Sequence, residues 1–153
     1  MELINIIKII LITFLPGLEL RMSIPYGIIN GLNPVHVFIT AVISNILLGE
    51  LIFYCLNKFL IYVLKINFLK EIYNKCVLKI QKRAHKYVEK YGEIGLALFI
   101  SVPLPGSGVY SGALGAFIFG FKRKSFSKAN IIGVMIAGII VTFLTIMGYN
   151  LFI

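Results

Sequence analysis

The feature that most constrains this chain is a pair of long apolar runs, each cut by the same tripeptide. Leu15-Pro16-Gly17 and Leu104-Pro105-Gly106 stand 89 residues apart, and each is followed by further helix breakers and then by a long apolar stretch. Four apolar segments result, over 3–32, 35–64, 94–121 and 129–153. The second and fourth are long enough to cross a bilayer, which takes about 20 apolar residues. The first is interrupted at Pro16-Gly17 and Pro25, the third at Pro103, Pro105, Gly106 and Gly108. At membrane depth a broken helix is tolerated only where protein or water satisfies the freed backbone groups. With 59% hydrophobic and 14% charged residues, the 153-residue chain is too apolar for a soluble domain of its size and reads as one membrane unit.

Charge placement orients the segments. The net charge of +9 suits nucleic acid by sign. However, Lys65, Lys70, Lys75, Lys79, Lys82, Arg83, Lys86 and Lys90 fall in one stretch beside apolar spans. Such a stretch marks the cytoplasmic face and favours anionic lipid head groups, so no nucleic-acid partner is expected. Leu69, Ile72, Tyr73, Cys76, Ile80, Tyr87 and Tyr91 recur there at helical spacing, with the lysines on another face. This predicts an amphipathic helix over 65–93 lying on the membrane surface. Lys122, Arg123, Lys124 and Lys128 form a second basic cluster. If both clusters are cytoplasmic, the segment between them dips into the membrane and returns.

The expected fold is therefore an all-α integral membrane protein of two inverted repeats. Each repeat is a re-entrant helical hairpin followed by a transmembrane helix. Repeat 1 covers 1–64, a basic amphipathic connector 65–93, and repeat 2 94–153. That plan is common among secondary transporters. The alternative is that 3–32 and 94–121 cross the membrane fully as kinked helices.

The first break carries ionisable residues. Glu19 and Arg21 lie between Pro16-Gly17 and Pro25. Proline biases the residue before it toward extended geometry, and residues two apart share a side of an extended chain. The pair is thus expected to face one cavity. Glu50 stands inside the second segment, where a charge costs roughly 2.5–3.5 kcal/mol on insertion scales. It is expected to be protonated, paired with a cation such as Arg21, or open to a water-filled cavity, and so to carry a proton. The second tip has no charge. Pro103, Pro105, Gly106, Ser107 and Gly108 offer hydroxyl and backbone groups instead. The Gly108, Gly112, Ala116 and Gly120 ridge suits close helix packing.

Catalytic patterns are weak. Ser107 and Ser111 lack a G-x-S-x-G frame, and His36 and His85 have no triad-like context. The chain has no aspartate, no Walker A loop and no metal-ligand spacing. Neither an enzyme nor a cofactor or metal is expected, and Cys55 and Cys76 do not read as a disulfide.

The stretches 16–27 and 102–108 resemble the two signature stretches of the small multi-drug export protein family, and the similarity extends over nearly the whole chain. More distantly the chain resembles DedA or VTT-type membrane proteins, which carry an arginine in the second hairpin motif where this chain has none. The resemblance implies a transporter-like membrane protein, with Glu19 and Arg21 as the natural site residues. Together these readings predict a multi-pass protein of the plasma membrane, homodimeric or larger. It would move an amphipathic or lipid-like substrate, driven by a proton or ion gradient. A gradient-independent scramblase or flippase and a non-transporting assembly factor are the other classes.

Overall fold

A computed structural model describes residues 2–63, 91–103 and 107–152. They form six helices: α1 (Glu2–Phe14), α2 (Glu19–Ile29), α3 (Pro34–Val63), α4 (Tyr91–Ser101), α5 (Val109–Ile118) and α6 (Arg123–Phe152). The order short, short, long occurs twice. α3 and α6 have 30 residues each, about 45 Å of helix, and both are long and apolar enough to cross a membrane. None of the four short helices reaches the length a crossing requires. The predicted connector helix lies almost wholly in 64–90, outside the described residues, and the described part of α4 runs from Tyr91.

The breaks follow backbone chemistry. α1 stops at Phe14, and Leu15-Pro16-Gly17 turns the chain with Gly17 in the left-handed region (φ +81). Pro25, expected to interrupt the helix, instead lies inside α2. The bias proline places on its predecessor is a preference, and here packing overrides it, because Ile24 is fully buried in the core. Arg21 is therefore helical, and the extended stretch expected between Glu19 and Pro25 does not form.

The duplication recurs in the backbone. After α2, Asn30, Gly31 and Leu32 donate N–H to the carbonyls of Tyr26, Ile28 and Gly27. After α5, Phe119, Gly120 and Phe121 donate to Gly115, Phe117 and Ala116, every donor and acceptor shifted by the same 89 residues. Both turns have the paired bonds of a Schellman motif, closed by Gly31 at φ +75 and Gly120 at φ +74. The first bonds of the long helices match too, Val37 to Asn33 and Phe126 to Lys122.

α3 and α6 run antiparallel. Phe53 stacks on Phe126 with ring centroids 4.3 Å apart. Further along, Asn130 reaches the Ile46 carbonyl, and Gly138 packs on Phe38 and Val42. The pair α4–α5 begins near the first turns of α6, where Glu93 lies 3.7 Å from Lys128, and ends in the turn leading into α6. In between it reaches Gly133 through Ile100 and Gly49 through Val109. The pair α1–α2 likewise ends at the start of α3, with Ile9 near Val37 across a shared cavity.

The packing is that of a helical membrane protein. Ala41, Ala97, Ala113, Ala116, Ala129 and Ala137 are buried, while Leu47, Leu98, Ile139, Phe143 and Leu144 face outward. Soluble monomers rarely expose apolar surface on this scale. In lipid, by contrast, small residues at helix contacts and large ones outside are the stable arrangement.

Gly133 and Gly115 separate the two situations. A Cβ on Gly133 meets the Ala97 carbonyl oxygen at 2.7 Å, whereas one on Gly115 meets nothing within 4 Å. Gly133→Val is expected to destabilise the detergent-purified protein by about 1–3 kcal/mol. Gly115→Ala should leave it unchanged or slightly more stable. Thermal unfolding followed by circular dichroism checks both.

Candidate functional site

The two broken pairs meet at their tips, and Glu19 makes the junction. It is the only non-glycine among the described residues with positive φ (+50). A left-handed residue costs roughly 1–2 kcal/mol, so the surrounding contacts must hold it there. The residue is 3% exposed. Oε2 accepts the Val109 N–H at 3.1 Å and Oε1 the Tyr110 N–H at 3.3 Å. These amides open α5, where the N-cap is Gly108 and supplies no side chain. The cap comes instead from the other hairpin, 90 residues away in the chain. A carboxylate there also meets the positive end of the helix dipole.

Arg21 does the complementary work. Nη2 donates to the Val102 carbonyl and to Ser107 Oγ, each at 3.0 Å, and the Ser107 hydroxyl donates to the same carbonyl at 2.6 Å. Val102 follows the end of α4, so this cation meets a helix C-terminus. Acid and base of α2 therefore satisfy the two helix ends that the second break exposes. In the reverse direction, the Tyr110 hydroxyl donates to the Phe14 carbonyl at the end of α1, at 2.6 Å. Below the junction the Thr13 and Ser23 hydroxyls lie 2.7 Å apart, both fully buried, and tie α1 to α2.

Gly108 is required sterically. Its φ is +103, and a Cβ there would lie 2.5 Å from Glu19 Oε2 and 2.8 Å from Arg21 Nη2. Pro16 and Gly17 are exposed and shape the first turn without entering the junction, and Pro25 and Pro103 are half-buried. Pro105 and Gly106 lie outside the described residues.

Glu50 occupies a separate place. It pairs with Arg123 at the start of α6 (Nε to Oε2, 4.0 Å), and Arg21 is engaged at the tips. The signal for Arg123 was its membership of the basic cluster, which sequence reasoning used only for orientation. Asn45 on α3 and Asn130 on α6 are fully buried, and Asn130 donates to the Ile46 carbonyl. Sequence reasoning missed Asn130, a polar residue at the start of the fourth apolar run.

A cavity of about 450 Å³ opens between α1 and the start of α3, lined among others by Asn5, Ile9, Asn33, His36 and Thr40. It contains none of the predicted site residues. The described residues hold no cluster of His, Cys, Asp and Glu suited to a metal.

A family model described as "Putative small multi-drug export protein" matches residues 19–140, from the first charged residue of the junction to the middle of α6. No curated protein and no solved structure matches the chain.

The junction predicts a specific non-additivity. Glu19→Ala removes charge-assisted bonds and should cost about 1.5–3 kcal/mol of stability. Gly108→Ala should also destabilise, through the clash with the carboxylate. In the Glu19→Ala background that second penalty should shrink, and a double-mutant cycle on unfolding free energies measures it.

Proposed function

This chain belongs to the small multi-drug export protein family, and on that premise we propose that it is a secondary transporter whose two hairpin tips form the moving junction. The family is one of export proteins, so transport is the activity at the coarse level. The finer reading adds a proton or ion gradient as driving force and an amphipathic or lipid-like substrate. It also adds an assembly of at least two chains, because two spans and two short pairs enclose little space.

The observation that carries the reading is the crossed pairing of Glu19 with the α5 amides and of Arg21 with the end of α4. Three features support an inverted, re-entrant arrangement. The backbone bonds repeat at an offset of 89 residues, α3 and α6 are antiparallel, and each short pair starts and ends beside the N-terminal turns of its own long helix. On this reading the hairpins enter from opposite membrane faces. Their tips then form the barrier between those faces, the usual position of a transporter site. The exposed Lys122, Arg123, Lys124 and Lys128 support a reading in which the start of α6 faces the cytoplasm.

The mechanism follows from what holds the barrier. Protonating Glu19, or offering the α5 amides another anion, removes the charge that caps α5. The tips can then part on one side while the packed long helices stay in place. Arg21 keeps the end of α4 satisfied during the exchange, or releases it to an anionic group of the substrate.

Proteoliposomes test this with two probes, a fluorescent amphipathic cation and a head-group-labelled phospholipid. Movement of either probe driven by an imposed proton or ion gradient is expected. It should fall at least about tenfold, equivalent to 1.4 kcal/mol, in Glu19→Gln and Arg21→Ala protein that remains folded. Equal movement without any gradient would replace the coupled reading with a scramblase. Folded variants with undiminished movement would sink the junction as the site. Variants that lose only folding or abundance would make it a structural clasp.

A further inference from the structure

We propose that the cavity at the base of the α1–α2 pair binds a single-chain anionic amphiphile, with the alkyl tail inside and a carboxylate or phosphate head at the start of α3. The space holds about 450 Å³, within the range of about 300–1,000 Å³ that small-molecule sites occupy. It lies at the far end of the pair from the tips, since Asn5 stands about 13 Å along α1 from Phe14. Binding here uses none of the junction residues and does not rest on the transport reading.

The lining changes character with depth. Asn5, Asn33 and His36 stand near the ends where α1 and α3 begin, and further in Ile9 and Val37 are fully buried. Ile6 and Ile39 are exposed and continue into the outward apolar surface at Leu3 and Ile43. The cavity therefore opens sideways onto the apolar exterior, where a membrane amphiphile can enter, and a chain that fills it gains dispersion contacts along its walls. The polar end suits an acceptor. Asn33 Oδ1 accepts the Val35 N–H at 2.9 Å, which leaves Nδ2 as its donating end. Asn5, His36 and Thr40 add donors, the described lining residues include no acid, and Lys8 is exposed one turn after Asn5. Donors without an acid fit an anionic, oxygen-rich head, which the positive end of the α3 dipole also favours.

The chemistry of this cavity belongs to one copy of the duplicated plan. At the 89-residue offset, Val37 corresponds to Phe126, Asn5 to Ile94 and Thr40 to Ala129. Phe126 is fully buried and stacks on Phe53, whose own counterpart is Thr142. Two stacked rings thus fill the start of α6, while the corresponding residues for the start of α3 are a valine and a threonine. The first copy lacks the aromatic plug and carries the polar groups, a combination that a ligand site requires and packing alone does not.

The test is photolabelling of the full chain in phosphatidylcholine nanodiscs, which avoids competing detergent. The probes are a fatty acid, a lysophosphatidate and an uncharged fatty alcohol, each with the same diazirine-bearing chain, and labelled peptides are mapped by mass spectrometry. Saturable labelling by the two anionic probes is expected in the peptides that hold Asn5–Ile9 and Asn33–Thr40, with the alcohol bound about tenfold more weakly. The tighter of the two anionic probes identifies the head as carboxylate or phosphate, and either supports the site. His36→Ala should weaken the anionic probes and leave the alcohol unchanged. Thr40→Phe, which fills the cavity, should abolish saturable labelling, and if that variant does not fold, Ile39→Trp at the exposed rim takes its place. Labelling that never saturates, or that spreads evenly to outward residues such as Leu47 and Phe143, overturns the site, as does labelling that survives the filling variant. An alcohol bound as tightly as the anions overturns the head-group assignment. Saturable labelling of protein that moves no probe in proteoliposomes keeps the site and removes the transporter, and transport without such labelling does the reverse.

Discussion

Everything in this fold depends on how a helix broken in an apolar interior has its backbone satisfied. A break exposes free amides at one end and free carbonyls at the other, and apolar surroundings offer partners to neither. In the second pair, the start of α5 and the end of α4 are those ends. Glu19 covers the first and Arg21 the second. One i, i+2 pair on α2 thus closes both ends of a distant break. The left-handed conformation of Glu19 makes this possible, because a regular helix would aim residues two apart to nearly opposite sides.

Close packing of the long helices is what lets the tips meet. Gly49 and Gly138, themselves 89 residues apart, sit at contacts where a Cβ would come within 3 Å of a neighbour. Gly49 admits Asn130 and Val109, and Val109 carries one of the amides that Glu19 accepts. The small residue on α3 therefore sets how deep α5 can seat, and with it the position of the site. Outside, the large apolar residues have no such role and cover the lipid-facing surface.

Much of this was legible in the sequence, for a physical reason. Breaks, spans and basic clusters are local patterns, and they placed the short pairs, the long helices and Glu19 with Arg21 at a tip. The partners were not legible. Val109, Tyr110 and Val102 lie about 80 to 90 residues from the side chains they meet, and they contribute backbone groups that any residue type offers. Pro25 misled in the same way, since its local bias lost to the burial of Ile24. Asn130 gave only a polar residue in an apolar run, which does not say what it faces. The duplicated Schellman turns were half visible. Gly31 and Gly120 stand at the repeat offset, but their identical bonds emerge only in the backbone.

The inequality of the two tips follows from the same constraint. Had both copies carried an acid and an arginine, Glu19 would face a second carboxylate in a water-poor interior, where like charges are costly. Its cap requires bare amides, and Gly108 leaves them bare. The neutral tip answers with groups that complement a charged one, the amides of Val109 and Tyr110, the Ser107 hydroxyl and the Val102 carbonyl. It returns one bond of its own, from Tyr110 to the end of α1. In this junction one tip gives the side chains and the other gives the backbone, so the difference between the two tips is part of how they join.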